Sequence, residues 1–409
     1  MRSPVGLLFW PALLIALAPG VTHALTLAEA QALALTHNPD LAGARLELQA
    51  AQGAELQAGA RPNPELALLL EDTRAATRTS TVQLSQAIEL GGKRAARQAA
   101  AAQAREQAAV ALAARQAELR AAVATAFFDV LGAQAQQHLA EAALGLAGRA
   151  ATAATQRLQA GKVPPLEVAK ARVAEAGARA ELTQAQAELQ LVRGRLAALW
   201  GAGPQAVSHV DSDARALPAV PDAQRLAEWL ADAPTLRLAR LDIARRQALT
   251  EVERARRMPD LTVTLGAKRD AELGRTQAVV GLSLPLPVHD RNQGGLLEAL
   301  RREDQAREAL TSATLKLQAE VAQAAVRLRL SREQAQLLHE EALPTAQTAY
   351  ESALKGYELG KFAFLDVLDA QRTLFQLRRQ LLQASADAHR ASAELDRLLG
   401  RATQNASET

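Results

Sequence analysis

The chain has 409 residues, of which 49% are hydrophobic but only 3% aromatic, and it contains no cysteine. Three Trp, two Tyr and six Phe are too few to anchor a conventional compact core, because alanine buries far less area per residue, so long alanine-lined helices packed side by side are expected. Lys plus Arg (47) and Asp plus Glu (44) nearly cancel and are interspersed, which argues against a nucleic-acid partner, while the missing thiols exclude disulfides, Cys-based zinc sites, thiolate nucleophiles and a lipidated N-terminal Cys.

In chain order, residues 1–24 read as a secretory signal: Arg2, an apolar run from Gly6 to Ala18 broken at Pro11, then the small-x-small Thr22-His23-Ala24. The run is too short for a membrane-spanning helix, so a mature chain is expected to begin near Leu25. A helical segment follows (27–60), broken at Pro39. A β-hairpin is predicted at about 65–90, where Val82, Leu84, Ile88 and Leu90 alternate with Thr81, Gln83, Ser85 and Glu89 around a polar loop at 72–80. A very long helix (94–160) then runs to a tip at 161–166, and a second helix (166–200) returns. Residues 201–221, rich in Gly, Pro, Ser and Asp, read as a linker.

The plan then repeats. A helical segment (222–257) broken at Pro234 leads to a hairpin at about 259–287, its loop at 269–275. There Leu261, Val263 and Leu265 oppose Thr262, Thr264 and Gly266, and Ala278, Val280, Leu282, Leu284 and Leu286 form another apolar row. A long helix (295–358), which Pro344 should kink or interrupt, ends at a tip near 360–366, and a last helix (365–399) precedes a disordered tail at 403–409. Asn38-Pro39-Asp40-Leu41 corresponds to Ala233-Pro234-Thr235-Leu236, Pro64-Glu65-Leu66 to Pro259-Asp260-Leu261, and Gly161-Lys162 to Gly360-Lys361. The chain therefore reads as a tandem duplication, with a first repeat at 25–205, a linker at 206–221 and a second repeat at 222–402. Leu317, Val321, Ala324, Leu328, Ser331, Ala335, Leu338 and Ala342 keep a 4-3 spacing, the seam of a close-packed coiled coil.

The fold class is thus mostly α with a small β part: a duplicated unit of long helical hairpins and β-hairpins. Four strands cannot close a barrel, and an open edge in lipid leaves backbone groups unpaired. Three chains would supply twelve strands and a closed polar lumen, continued by a twelve-helix α-barrel. Periodicity alone also admits a soluble periplasmic coiled-coil scaffold or adaptor.

The run Tyr357-Glu358-Leu359-Gly360-Lys361-Phe362-Ala363-Phe364-Leu365-Asp366-Val367-Leu368-Asp369-Ala370-Gln371 resembles the second helical-tip motif of TolC-type outer-membrane efflux ducts, and Gly161-Lys162-Val163-Pro164-Pro165-Leu166-Glu167-Val168 resembles the first. Asn38-Pro39-Asp40-Leu41, Pro62-Asn63-Pro64-Glu65-Leu66 and Glu89-Leu90-Gly91-Gly92-Lys93-Arg94 are similar to the cobalt–zinc–cadmium-type branch of that family, although ducts for organic compounds share parts of this pattern. The resemblance implies a homotrimer in the outer membrane of a Gram-negative bacterium, its helical tube in the periplasm. Its implied partners are a periplasmic adaptor and an inner-membrane pump of the resistance–nodulation–division class; it implies no catalysis and no cofactor. Divalent heavy-metal cations are the implied cargo, with organic compounds as the alternative. Two departures from the family are the absent N-terminal lipidated Cys and the lack of Trp/Tyr girdles on the strands.

The tip motif points to Asp366 and Asp369 as the channel constriction, since carboxylates three apart share one helix face and three copies would ring the entrance. Capping of the returning helix is the competing role for the same carboxylates. The first-repeat counterparts, Glu167 and Lys170, are of unlike charge. Gly161, Lys162, Gly360 and Lys361 are candidates for adaptor docking as well as for turning the chain. The seven His have no paired helical spacing, so no specific metal site is expected; Gly91-Gly92-Lys93 lacks the rest of a phosphate loop, and no nucleophile elbow is present.

Overall fold

A computed structural model describes residues 24–72, 74–211, 216–359 and 361–401. Residues 1–23 of the expected signal, Gly360 and the tail 403–409 lie outside the described residues. The elements are Leu27–His37 (α1), Pro39–Ala58 (α2), Glu65–Glu71 (β1), Thr79–Ile88 (β2), Lys93–Gln159 (α3) and Pro165–Ala198 (α4), then Ala223–Ala231 (α5), Pro234–Arg256 (α6), Leu261–Asp270 (β3), Arg275–Ser283 (β4), Gln293–Leu337 (α7), Leu343–Glu358 (α8) and Phe364–Leu399 (α9).

The prolines mark the breaks, as expected. Asn38 separates α1 from α2; its side-chain oxygen accepts the Leu41 N–H at 2.9 Å, and its amide donates to the Leu199 carbonyl just past α4, also at 2.9 Å. At the other end of the plan, α3 runs unbroken for 67 residues, about 100 Å at the helical rise. Its second-repeat counterpart is interrupted by a π-turn, Leu338–Ala342, immediately ahead of Pro344. Proline offers no N–H to the carbonyl four residues back and its ring crowds that carbonyl, so the helix widens there.

The four strands form one antiparallel sheet in the order β1-β2-β3-β4. The two hairpins of the two repeats meet at β2–β3, where Leu84 pairs with Leu265 and Ser85 with Thr264. Because side chains alternate, the register gathers Leu66, Leu68, Val82, Leu84, Val263, Leu265, Val280 and Leu282 on one exposed apolar face. Thr81, Gln83, Ser85, Thr264, Lys268 and Gln277 share the other face, where the Ser85 and Thr264 hydroxyls lie 2.9 Å apart in a hydrogen bond. Gly266 sits on this polar face at the central pair, and a Cβ there would come within 2.5 Å of the Val82 carbonyl, so the strands approach closely only with glycine.

The strand limits differ from the expectation. Pairing extends through Thr79 and Asp270 into the predicted loops, and β4 stops at Ser283, short of 287, because Pro285 and Pro287 cannot donate to a ladder. Glu89 and Leu90 belong to the joint between sheet and helix rather than to β2. Gly91 and Gly92 turn that joint with φ of 69° and 73°. Lys93 Nζ then meets Asp260 Oδ1 at 2.6 Å, and Arg97 makes a two-pronged ion pair with Glu89.

The core is split along the helices. Val123, Phe127 and Val130 of α3 pack with Val192 and Leu196 of α4 and with Ala30 and Ala34 of α1. Leu317, Val321, Ala324 and Leu328 of α7 pack against Ala388, Ala391, Leu395 and Leu398 of α9. The predicted seam is the one that is buried, and its alanines allow the two helices to close up. The linker is more than a tether. Val207 and Val210 are buried in the first cluster, and the buried Gln134 amide both accepts from the Val210 N–H (3.0 Å) and donates to its carbonyl (3.2 Å). Leu25 pairs with the same strip, its N–H donating to the His209 carbonyl at 2.9 Å.

Candidate functional site

The far ends of the two helical hairpins lie together, and their construction starts from backbone capping. At the end of α3, the Gly161 N–H donates to Leu158 (2.9 Å) and the Lys162 N–H to Arg157 (2.8 Å), with Gly161 at φ 67°. This Schellman pattern satisfies the last carbonyls, and its left-handed residue favours glycine. In the second hairpin the Lys361 N–H reaches the Gly356 carbonyl at 2.8 Å, the same five-residue bond. Gly356 is buried under Phe362, and a Cβ there would overlap the ring.

Asp366 and Asp369 stand one turn apart on the exposed side of α9, while Val367 and Leu368 between them point inward. Asp366 also caps its helix: Oδ2 accepts the Ala363 N–H at 2.9 Å. The helix-capping role considered from sequence is therefore present. Lys162 and Lys361 are both exposed at their turns.

The structure joins the two tips through Glu167, named from sequence only as a counterpart of Asp366, and through Leu368, Tyr357 and Arg157, to which the sequence assigns no role. Leu368 enters a cluster made by Ala151, Ala154, Val168 and Ala171 of the other hairpin. Beside it Tyr357 Oη donates to Glu167 Oε1 at 3.5 Å, and the Arg157 guanidinium lies 4.1 Å from the Tyr357 ring centre. Burial raises the Tyr357 phenol above its ordinary pKa, against the pull of Arg157, so it stays a neutral donor. Both tyrosines of the chain, Tyr350 and Tyr357, are on α8, and that concentration of a scarce residue type was the available signal. A cleft of about 490 Å³ opens between the tips, lined in part by Arg157, Glu167, Tyr357 and Phe362. Of its lining, Leu166, Phe362 and Leu365 are exposed, and Leu359 is exposed at the turn nearby in sequence.

Among the described residues, no helix is long and apolar enough to cross a membrane, and no three His, Asp or Glu side chains gather as metal ligands. The arrangement offers an acidic, lysine-flanked, partly apolar end on a long helical stalk, with a two-faced sheet at the opposite end.

Comparison with known proteins agrees with this layout. The chain matches the outer membrane efflux protein family over residues 18–202 and 226–401, one stretch in each half. It is 45% identical to the cobalt-zinc-cadmium resistance protein CzcC of Cupriavidus metallidurans, over 92% of this chain and 90% of that one. It is 32% identical to the nickel and cobalt resistance protein CnrC of the same organism, over 71% and 70%. The crystal structure of the outer membrane protein VceC of Vibrio cholerae superposes with a TM-score of 0.76 at 23% identity, covering 92% of this chain and 97% of that one.

Proposed function

We propose that this chain, which belongs to the outer membrane efflux protein family, is the exit duct of a heavy-metal efflux system and works there as a homotrimer. Its place is the outer membrane, with the helices extending into the periplasm, and it is a channel component rather than an enzyme.

The observation that carries the duct reading is the sheet. It is apolar and exposed on one face, polar on the other, and among the described residues both outer strands, β1 and β4, end it without a further partner. In lipid each unpaired backbone group costs several kcal/mol, so the two edges must be joined. Three copies joined β4 to β1 make twelve strands, with Thr81, Gln83, Thr264 and Gln277 toward water. Leu315, Leu330 and Leu337 on α7, and Val173 and Leu191 on α4, are exposed in the single chain, which supports their burial between copies. A soluble scaffold has no use for such a sheet.

The tip is then the periplasmic entrance. Six carboxylates from Asp366 and Asp369 favour cations there. The exposed apolar rim with Lys162 and Lys361 suits a periplasmic adaptor, which couples the duct to an inner-membrane pump of the resistance–nodulation–division class. Gly161 holds the turn that presents Lys162; Gly360, the matching position of the second repeat in the sequence, is proposed for the same docking role. Divalent cations as cargo rest on the 45% identity to a cobalt-zinc-cadmium resistance protein.

Deleting the chain from its host tests the cargo. Loss of tolerance to zinc, cobalt and cadmium, restored by the wild-type chain, is the expected result. Unchanged metal tolerance with new sensitivity to organic toxicants would move the assignment to organic export. The constriction has its own test in planar bilayers: Asp366→Asn with Asp369→Asn should raise conductance and weaken its block by divalent cations. Asn keeps an oxygen for the Ala363 N–H, so the helix cap survives. Conductance and block both unchanged would remove these carboxylates from the entrance.

A further inference from the structure

A barrel is held at its depth in a membrane by aromatic girdles at the two interfaces, yet β1, β2, β3 and β4 contain no aromatic residue. The foot of β4 offers a different device. Its outward row, Ala278, Val280 and Leu282, keeps the same parity past the last paired residue, through Leu284, Leu286 and Val288. Those three side chains are 46%, 76% and 64% exposed. The first repeat has no equivalent: β2 reaches α3 through 89–92, whereas β4 reaches α7 through 284–292.

The backbone of this strap is suited to a dry environment. Pro285 and Pro287 have no N–H, and the Val288 N–H is bonded within the strap to the Leu286 carbonyl at 2.8 Å. Few donors are left to desolvate, which is the principal cost of placing irregular chain in lipid. Both ends are fixed. Ser283 pairs with Thr262, and beyond the strap Asn292 donates to the Glu253 carbonyl (2.9 Å) and carboxylate (2.7 Å) on α6. Arg291 Nε reaches back to the Pro287 carbonyl at 3.2 Å. The leucines are thus held outward on a braced segment.

We infer that Leu284–Val288 is an interfacial membrane anchor, placing Leu284, Leu286 and Val288 among the acyl chains of the periplasmic leaflet, with His289, Asp290 and Arg291 at the headgroups. This rests on reading the apolar sheet face as lipid-facing. Lipid rather than a second copy is the occupant for two reasons. Exposed Leu284 and Leu286 follow directly on the lipid-facing residues of β4, with Val288 exposed just past the turn at Pro287, and the prolines deny a neighbouring strand the ladder it would need past Ser283.

The absence of cysteine makes the test direct. Single variants Leu284→Cys, Leu286→Cys and Val288→Cys, with Val280→Cys and Val279→Cys as references, are labelled with an environment-sensitive fluorophore. The full chain is reconstituted in phosphatidylethanolamine–phosphatidylglycerol vesicles with lipids brominated near the headgroup or near the chain end. Each variant is first checked for a heat-sensitive oligomer on gels. The strap positions should show blue-shifted emission and be quenched most by the shallow bromines, position 280 by the deep ones, and position 279 by neither. Quenching at 280 with water-like emission at the strap, or with cross-linking of strap cysteines to a second copy, overturns the anchor and leaves the barrel standing. No quenching at 280 either would overturn the barrel reading and the anchor with it.

Discussion

Replacing Tyr357 by Phe is expected to open the reconstituted channel, raising its open probability or conductance several-fold without unfolding it. The phenol ties the two hairpin tips of one chain through Glu167, with Arg157 stacked on the same ring. At 3.5 Å the bond is long and sits at the weak end of the range, about 0.5 kcal/mol net. In a trimer whose tips part together, three ties bias the closed state by about 1.5 kcal/mol, a change of about tenfold in the closed-to-open ratio. Phe is the informative replacement because Tyr357 also packs against Ala and Leu side chains of both tip clusters. Tyr357→Ala would confound loosening of the tie with loss of packing. Glu167→Gln should act in the same direction by weakening the acceptor, and the double variant should add little to either single one, since both remove one bond. Tyr357→Phe channels with wild-type conductance and open probability would show that the tie does not hold the entrance.

That tie illustrates where sequence stops being informative. Its partners are 190 residues apart on two repeats, and no periodicity links them. By contrast, the helices were legible from alanine-rich 3.6-residue patterning, the breaks from Pro39, Pro234 and Pro344, and the faces of the sheet from strict alternation between Val82 and Leu84 or Val263 and Leu265. The 4-3 series from Leu317 to Leu338 told which stripe of α7 is buried, because a seam imposes its own period. The burial of Val207 and Val210 was not legible. Two isolated valines in a Gly- and Pro-rich stretch carry no period, and their burial depends on Gln134 presenting an amide to the Val210 backbone. At the entrance, Asp366 and Asp369 were readable as a pair on one face, but the capping bond to Ala363 is a local geometric fact. The end of β4 is not legible in the sequence, because apolar parity continues past Ser283 while the ability to pair does not.

Acidification should destabilise the helical stalk through His389. This residue of α9 is buried, stacked on Phe128 of α3 with ring centres 3.7 Å apart, and its Nε2 has no hydrogen-bond partner among the described residues. Burial pushes its pKa down from the ordinary 6.5 to about 4. Charged groups nearby are Arg390 and Asp387 on its own helix and Asp129 on α3, and these pair with one another. A histidine kept neutral in the fold stabilises it fully above the unfolded-state pKa of 6.5; the contribution falls as pH drops toward 4, where folded and unfolded forms both take the proton. The loss amounts to about 3 kcal/mol. A second group works against it. The Asp396 carboxyl is pushed up to about 7 by burial, against the pull of Arg401, so it adds stability at low pH that disappears as pH rises through 7. A bare pH curve would mix the two, so the measurement is a difference. His389→Phe preserves an aromatic stack on Phe128, removes the titration and leaves Asp396 two turns away untouched. Guanidinium unfolding of the detergent-solubilised protein should show the variant gaining on wild type by about 3 kcal/mol between pH 6.5 and 4, with a flat difference above pH 7. A difference independent of pH across that window would mean that His389 takes up its proton without leaving the stack.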